Sequence, residues 1–281
     1  MKINTNVSSL TAQEAATNTN RSISSSLEKL STGLKINKAS DDASGLAIAD
    51  KLRTQVTSLN QGISNGNSAI ALLQIADKSM AEQSKILDTV KAKLIQANTA
   101  TTSADGRESI RKDITKLLEQ LDNIAQQTNY NSTYLLQANA TTNTSSIALN
   151  FQVGEKSTDI ISMGAVQANT TGLALTSINA LGAGGLTSSL AGTAQATVDT
   201  AITTLNGYRG DIGSTQNQVE SAVRNLMTQA TNIKNAESVI RDVDYAEESA
   251  NFNKLNIISQ AGSYAISQSN AVSQNVLRLL Q

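Results

Sequence analysis

The chain has 281 residues, a formal net charge of −1 and no Cys, His, Pro or Trp. The lack of Cys excludes disulfides and thiolate metal sites, and the near-neutral charge without basic clusters argues against nucleic acid as a partner. Only 2% of the residues are aromatic, so we expect a core of many small aliphatic contacts, and the lack of Pro is typical of long uninterrupted helices.

The N-terminal part predicts a first helix over residues 3–34, because apolar residues at its end are spaced three and four apart. These residues are Ile23, Leu27, Leu30 and Leu34. The polar stretch 35–42 predicts an extended or turning segment, and Ser40, Asp41 and Asp42 are N-cap candidates for the helix that follows.

The longest periodic stretch is 49–97, which predicts one helix with a mean apolar spacing of about 3.5 residues. Its seam includes Leu52, Val56, Leu59, Ile63, Ile70, Leu73, Leu87, Val90 and Leu94. About 50 helical residues extend roughly 75 Å, so we predict an elongated helical bundle. Helices predicted at 105–127 and 194–239 are expected to cover this seam as antiparallel neighbours.

The middle of the chain has a different composition. Apolar and polar residues alternate over 147–153 and an apolar run follows at 159–163, so the sequence predicts a β-hairpin with its turn at 154–157. Residues 164–192 are rich in Ala, Thr, Ser and Gly and predict a loop-rich surface segment, with a short strand or turn near 173–178. Gly207, Gly210 and Gly213 are expected to interrupt the helix at 194–239.

The last predicted helix, 251–281, has another weak apolar stripe. Its large members are Leu255, Ile258, Val272, Val276 and Leu279. Isolated amphipathic helices are marginal in water, so the two terminal helices are expected to pack on each other and then on other copies. The predicted fold is therefore mainly α, with a terminal coiled coil (1–42 and 240–281) and a rod domain (43–239) that carries the hairpin and a surface segment at about 137–193.

Several motifs, in order, resemble bacterial flagellin. Tyr130 and Ser132 stand where that family's "FNG…LL" element has Phe and Gly. The matching stretches are 3–6, 27–37, 41–49, 62–70, 128–136, 237–247 and 273–280. The resemblance covers residues 1–155 and 194–281, and the short connection between them indicates a flagellin without the large variable outer domains.

The resemblance implies a structural subunit of the flagellar filament that polymerises at the filament tip. It implies export by the flagellar type III apparatus, consistent with an N-terminus that has no cleavable signal peptide, and hence an extracellular location. The implied partners are other copies of the chain, an export chaperone, the filament cap and the hook–filament junction proteins. Neither a membrane nor a cofactor is implied.

One stretch departs from the family. Flagellins sensed by the Toll-like receptor of innate immunity carry a "QRVRELAVQ"-like sequence, and residues 88–96 stand at that position. Residues 88–93 of the present chain include Asp88, Thr89, Lys91, Ala92 and Lys93. The Arg, Glu and Leu of the family motif are therefore replaced by Thr89, Ala92 and Lys93. Weak or absent receptor activation is therefore expected.

No residues predict a catalytic or metal site. The acidic cluster Asp242, Asp244, Glu247 and Glu248 has Glu247 where a calcium loop of the EF-hand type needs Gly, and it is interpreted as a hinge and helix N-cap. Two alternatives to a filament subunit stay open: a secreted flagellin-like binding or signalling protein that does not polymerise, and an autonomous coiled-coil adaptor. An enzyme ranks last.

Overall fold

A computed structural model describes residues 5–139 and 141–279, with side chains up to residue 275. The mainly helical fold class is confirmed, with a small β-hairpin and paired terminal helices. The elements are α1 (Val7–Thr32), α2 (Ala43–Asn98), α3 (Ala104–Gln127), β1 (Asn129–Tyr130), β2 (Thr133–Tyr134), β3 (Leu149–Gln152), β4 (Ile160–Met163), α4 (Thr176–Asn179), α5 (Ser188–Arg241) and α6 (Tyr245–Leu279).

The chain forms two compact units. The terminal unit consists of Met1–Val56 and Thr231–Gln281, and the central unit consists of Thr57–Ala230. Helices α2 and α5 contribute residues to both units. Within the described residues, no helix combines the length and the apolar character that a membrane span requires.

Local sequence explains the helix ends. Gly33 ends α1 because its backbone adopts the left-handed conformation, with φ +73°, and its N–H donates to Lys29 O. The Asp42 carboxylate accepts a hydrogen bond from Gly45 N at 2.9 Å at the start of α2, which confirms Asp42 among the three predicted N-cap candidates. Ser103 caps α3 in the same way, by accepting from Gly106 N.

The core of the central unit lies between α2, α3 and α5. Lys93 on α2 pairs with Asp113 on α3, and Gln83 binds the carbonyl of Leu121, so α3 runs antiparallel to α2. The buried residues of α3 are Ile110, Ile114, Leu118, Leu121 and Ala125. Leu117 and Ile124 of the same helix pack against this core but are only partly buried.

The predicted hairpin is confirmed. Strand β3 pairs antiparallel with β4, with Leu149 opposite Met163 and Gln152 opposite Ile160. A second, unpredicted hairpin joins β1 to β2, and its two turn residues, Asn131 and Ser132, have φ of +48° and +65°. Positive φ at both turn positions is typical of a two-residue β-turn, where Asn is a favoured residue.

The expected surface segment is wrong for residues 164–187, because Val166, Leu173, Leu175 and Ile178 are buried in the core. Of the strand or turn expected near 173–178, the turn is present at 171–174, and the helix α4 follows it in place of a strand. Asp122 holds this segment by accepting hydrogen bonds from the Thr170 N–H and hydroxyl. A composition rich in small polar residues predicts an exposed loop. Here the polar groups form hydrogen bonds within the chain, and so they can be buried.

The third correction concerns α5. The helix starts at Ser188, earlier than predicted, and continues through Gly207, Gly210 and Gly213 without interruption. Long flanking helical segments with buried Leu205 and Ile212 outweigh the propensity penalty of about 1 kcal/mol for each helical glycine.

Candidate assembly surface

The pairing of α1 with α6 is antiparallel. Asn6 Nδ2 donates to Ser269 O at 3.2 Å near one end, Ser259 Oγ donates to Asn20 Oδ1 at 3.3 Å in the middle, and Ser26 Oγ donates to Glu248 Oε1 near the other end. The two helices are far apart in sequence, so this pairing brings the two ends of the chain together.

The seam between these helices consists mostly of small and polar residues. Ala16 Cβ would lie only 3.9 Å from a Cβ atom at Gly262. The residues at least partly buried along the pair are the N-cap Asn6, then Ser9, Ala12, Ala16, Thr19, Ile23, Ser26, Glu28, Lys29 and Leu30 on α1, and Glu248, Phe252, Leu255, Asn256, Ser259, Gly262, Ile266, Ser269 and Ser273 on α6. Small residues let two helices approach closely but bury little apolar area.

Several large apolar side chains of the pair are exposed. On α1, Val7 and Leu27 are 64% and 54% exposed, and on α6, Ile257 and Tyr264 are 68% and 73% exposed. Leu10, Ile258 and Val272 are exposed as well. We call these seven residues the outward apolar set. Apolar residues concentrated on exposed faces of paired helices indicate a surface that another molecule covers.

The predicted terminal-helix residues divide between the two faces. Ile23, Leu30, Leu34 and Leu255 are partly buried, whereas Leu27, Ile258 and Val272 are exposed. The side chains of Val276 and Leu279 lie outside the described part of the chain. The sequence pattern grouped all nine by hydrophobicity alone, and three of those whose side chains the structure describes face outward.

Backbone hydrogen bonds tie the segments that adjoin α1 and α6. Lys35 N donates to Arg241 O at 2.6 Å, and Val243 N donates to Gly33 O at 3.0 Å. Arg241 Nε also donates to Ile36 O at 3.3 Å. We call residues 33–36 and 241–243 the junction. Sequence reasoning missed it, because two short polar stretches 206 residues apart carry no periodic signal that they pair.

The predicted seam of α2 lies partly in the core. Leu73, Leu87 and Leu94 have no exposed surface. Leu59 and Val90 are buried too, whereas Leu52, Val56, Ile63 and Ile70 are partly exposed. Gln83 lies on the same periodic seam, is fully buried, and donates to the carbonyls of Leu121 and Ala168.

The stretch that corresponds to the immune-receptor motif forms ion pairs within the chain. Lys91 Nζ lies 2.5 Å from Asp199 Oδ1, and Lys93 Nζ lies 2.7 Å from Asp113 Oδ2. These lysines link α2 to α5 and α3. Asp88, Thr89 and Ala92 are exposed.

The carboxylate of Glu108 on α3 has a strongly lowered pKa. Its carboxylate binds the Arg111 guanidinium at 2.7 Å and accepts a hydrogen bond from Gly184 N at 3.0 Å, and these two contacts lower the pKa of Glu108 to about 2. Arg111 in turn donates to Leu181 O. The pair therefore fastens the loop before α5 to α3.

The acidic residues near the start of α6 do not converge on one site, because their side chains have separate hydrogen-bond partners. Asp244 caps the helix by accepting hydrogen bonds from Ala246 N and Glu247 N, Asp242 accepts from Ser238, and Glu248 points into the seam. Among the described residues, no group of three acidic, His or Cys side chains could hold a metal ion.

Long helices whose two ends pair and expose apolar residues are typical of a structural protein that assembles with other copies. The family model for the bacterial flagellin N-terminal helical region matches residues 3–141, and that for the bacterial flagellin C-terminal helical region matches residues 195–280. The chain belongs to the flagellin family.

Related proteins and a solved structure support this assignment to the flagellin family. The chain is 35% identical to a flagellin of Bacillus subtilis and 32% identical to the flagellar filament 33 kDa core protein of Treponema phagedenis, each over 100% of both chains. The crystal structure of Bacillus cereus flagellin superposes with a TM-score of 0.50 at 26% identity, over 62% of this chain and 94% of that one. The chain is a structural subunit of the bacterial flagellar filament, and the non-polymerising alternative is not favoured.

Proposed function

We propose that the outward apolar set forms the contacts by which copies of this chain polymerise. The observation that carries this proposal is that the α1–α6 pair, whose seam is mostly small and polar apart from residues such as Ile23 and Leu255, leaves large apolar side chains such as Ile257 and Tyr264 exposed. A self-sufficient coiled coil places its apolar stripe in the seam instead. The exposed stripe of this pair therefore suits contacts with neighbouring subunits.

The energetics allow assembly to be regulated. Burial of about 1,000 Å² of apolar area per subunit contributes roughly 25 kcal/mol at about 25 cal/mol per Å². Loss of translational and rotational freedom and ordering of side chains offset much of this gain. The polymer is accordingly stable only when many subunits contact one another.

Family membership supports the finer features of this proposal. The chain is exported by the flagellar type III apparatus, is held by an export chaperone beforehand, and is incorporated outside the cell between the hook–filament junction proteins and the filament cap. Residues 1–42 and 240–281 form the inner terminal domain, and residues 43–239 form the rod domain. The predicted packing residues Ile23, Leu30 and Leu255 hold the terminal helices together, and the seam of α2 holds the rod domain.

A deletion tests the role of the terminal pair. Removal of residues 251–281 should abolish elongation from filament seeds, observed by electron microscopy, because α1 loses its partner. Hydrogen exchange of α3 should be unchanged, since α3 belongs to the central unit. Polymerisation of the truncated chain would contradict the end-pairing model.

Point variants test the outward surface itself. Ile257→Gln and Leu27→Gln should each slow elongation strongly without reducing helicity, because both side chains are mainly exposed in the single chain. Ile147→Gln is the matched control, since Ile147 is 78% exposed but lies in the central unit near the hairpin. Normal elongation by both terminal variants would refute the proposed surface.

A further inference from the structure

Three consecutive residues after the hairpin, 168–170, are each bound by a polar side chain from a different part of the central unit. The first is bound by Gln83 on α2, which donates to its carbonyl at 2.7 Å. The second is bound by Gln137, between β2 and β3, which accepts from its side-chain amide at 3.2 Å. The third is bound by Asp122 on α3, which accepts from its N–H and its hydroxyl, both at 2.7 Å. We call Gln83, Gln137 and Asp122 the anchor.

Most of these contacts are shielded from water. Gln83, Gln137, Ala168 and Asn169 have no exposed surface, and Thr170 is only 3% exposed. A buried polar group must find its hydrogen-bond partner within the chain, because water cannot replace a partner that is lost. Loss of an anchor contact therefore leaves a buried donor or acceptor without a partner, which is more unfavourable than the same loss at the surface.

The amide of Gln83 serves the one carbonyl of this stretch that needs a donor. The carbonyl of Val166, two residues earlier, accepts a backbone hydrogen bond, and so do the carbonyls of residues 169 and 170. The carbonyl of Ala168 has no backbone donor among the described residues. If the stretch were shifted along α2, Gln83 would face a carbonyl that is already bonded, and Ala168 would be left without a donor in the core.

The carboxylate of Asp122 makes a matching selection. It accepts from both the N–H and the hydroxyl of Thr170, so it requires a residue with a hydroxyl at that place. A shift by two residues keeps the same side chains facing inward in an extended chain. Such a shift would bring Ala168 or Gly172 opposite Asp122, and neither has a hydroxyl. A shifted stretch would therefore lose a hydrogen bond to a charged group.

Gln83 occupies its place at a cost in stability. It lies in the apolar seam of α2 between Met80 and Leu87, neither of which has any exposed surface. Its Nε2 donates to the carbonyls of Leu121 and Ala168, but its Oε1 has no donor among the described residues. In coiled coils, a polar residue at a seam position fixes the alignment of the helices at just such a cost. The unfavourable Oε1 therefore suits a residue that selects an alignment.

We propose that the anchor fixes the position of residues 164–175 on α2 and α3, so that this segment docks in one alignment only. Gln83 requires a carbonyl without another donor, and Asp122 requires an N–H and a hydroxyl two residues further on. Only the observed alignment satisfies both requirements. The segment leads from β4 directly to α4, so its alignment also determines where the hairpin lies within the central unit.

Two spin labels in the central unit test this alignment in the full chain, below the concentration at which filaments grow. The sequence has no Cys, so Asp88→Cys on α2 and Ala165→Cys in the segment place the labels, both at exposed positions. Double electron–electron resonance on this labelled parent should give one narrow distance. A shift by two residues would move the second label by about 6–7 Å along the chain, which this method resolves.

Two variants weaken the anchor without shortening its side chains. Gln83→Met should raise hydrogen exchange of the Ala168 N–H about tenfold relative to the amides of α3, the effect of losing one or two neutral hydrogen bonds. Gln83→Met combined with Gln137→Met removes two anchor contacts and should broaden the label distance or add a second one. Ile114→Val is the matched control, because it weakens the core at α3. It should raise exchange of both regions equally and keep the single distance.

Either of two results would overturn the proposed alignment. One is an unchanged single distance in the double variant while its α3 amides remain protected. The other is an equal rise in exchange for Ala168 and α3 in Gln83→Met, as in the control, and this result decides alone if the double variant does not fold. Both readings come from the central unit of the unassembled chain, so they are independent of the outward apolar set and of polymerisation.

Discussion

A methyl group of Val223 on α5 occupies the space that a Cβ atom at Gly66 of α2 would require. The two helices therefore approach most closely where α2 carries no side chain. Gly62, one turn earlier, faces the carbonyl oxygen of Val153 in the same way. These glycines set how tightly the hairpin and α5 pack on α2.

Gly66→Ala is accordingly expected to destabilise the central unit by about 1–3 kcal/mol, the usual effect of overpacking a closely packed core. The measurement is urea-induced unfolding followed by circular dichroism. Unchanged stability would show that Val223 can move aside without loss.

Gly210→Ala is the matched control, and its effect on stability should be opposite in sign to that of Gly66→Ala. Gly210 lies within α5, and no described atom outside its own helical turns comes within 4 Å of a Cβ built there. Alanine should stabilise the unassembled chain by about 0.5–1 kcal/mol through its higher helix propensity. If both variants were destabilising, backbone strain rather than the Val223 contact would be the cause.

Acid should loosen the loop before α5 through Glu108. The pKa of Glu108 in the folded chain, about 2, lies below its ordinary value of 4.5. Ionised Glu108 therefore stabilises the fold fully above about pH 4.5, and this contribution is lost as the pH falls towards 2. The difference in unfolding free energy between the native chain and Glu108→Gln should be largest near pH 6 and shrink by pH 3.

The control for this titration is Glu119→Gln, which removes an exposed carboxylate from the same helix. A Glu108→Gln difference that stays constant from pH 6 to pH 3 would contradict the assigned role of the Arg111 and Gly184 contacts.

Gln83→Leu should destabilise the chain by about 1–3 kcal/mol, although leucine is more hydrophobic. The Gln83 amide donates to the carbonyls of Leu121 and Ala168, and the variant would leave both buried acceptors without this donor. Gln74→Leu on the exposed face of α2 is the control. Equal denaturation midpoints for the two variants would contradict this account.

The 88–96 stretch should activate the innate immune receptor weakly or not at all in a reporter-cell assay. Restoring the motif with Thr89→Arg, Ala92→Glu and Lys93→Leu should raise activation. The fold should tolerate these changes, because the Lys93–Asp113 ion pair is partly exposed and ion pairs at the surface contribute only about 0–1 kcal/mol. Activation by the unaltered chain as strong as that by a flagellin with the full motif would refute the expectation.

Periodicity predicted the long helices well, because a stripe such as Leu73, Leu87 and Leu94 repeats over many turns. Strict alternation likewise predicted β3. Residues 164–187 could not be predicted in this way, since their burial depends on single long-range bonds, such as that from Asn169 to Gln137, that leave no local pattern.

The candidate site shows a different limit. Hydrophobicity identified Leu27, Ile258 and Val272 as important but could not say which side of the helix pair they face. That depends on which residues are small enough to form the seam, as Ala16 and Gly262 do. A hydrophobic pattern records what must be buried in the final assembly and does not distinguish one chain from several.

With the proposed assembly surface, the exposed apolar faces of α1 and α6 would also determine how solutions of this protein behave as concentration rises. Each added subunit covers the same stripe, so addition to an existing end is favoured over the meeting of two single chains. Growth of this kind has a saturation point: below it single chains persist, and above it the surplus enters the polymer while the monomer concentration stays constant. The exposed apolar faces of α1 and α6 would thereby set the highest concentration at which single chains stay in solution.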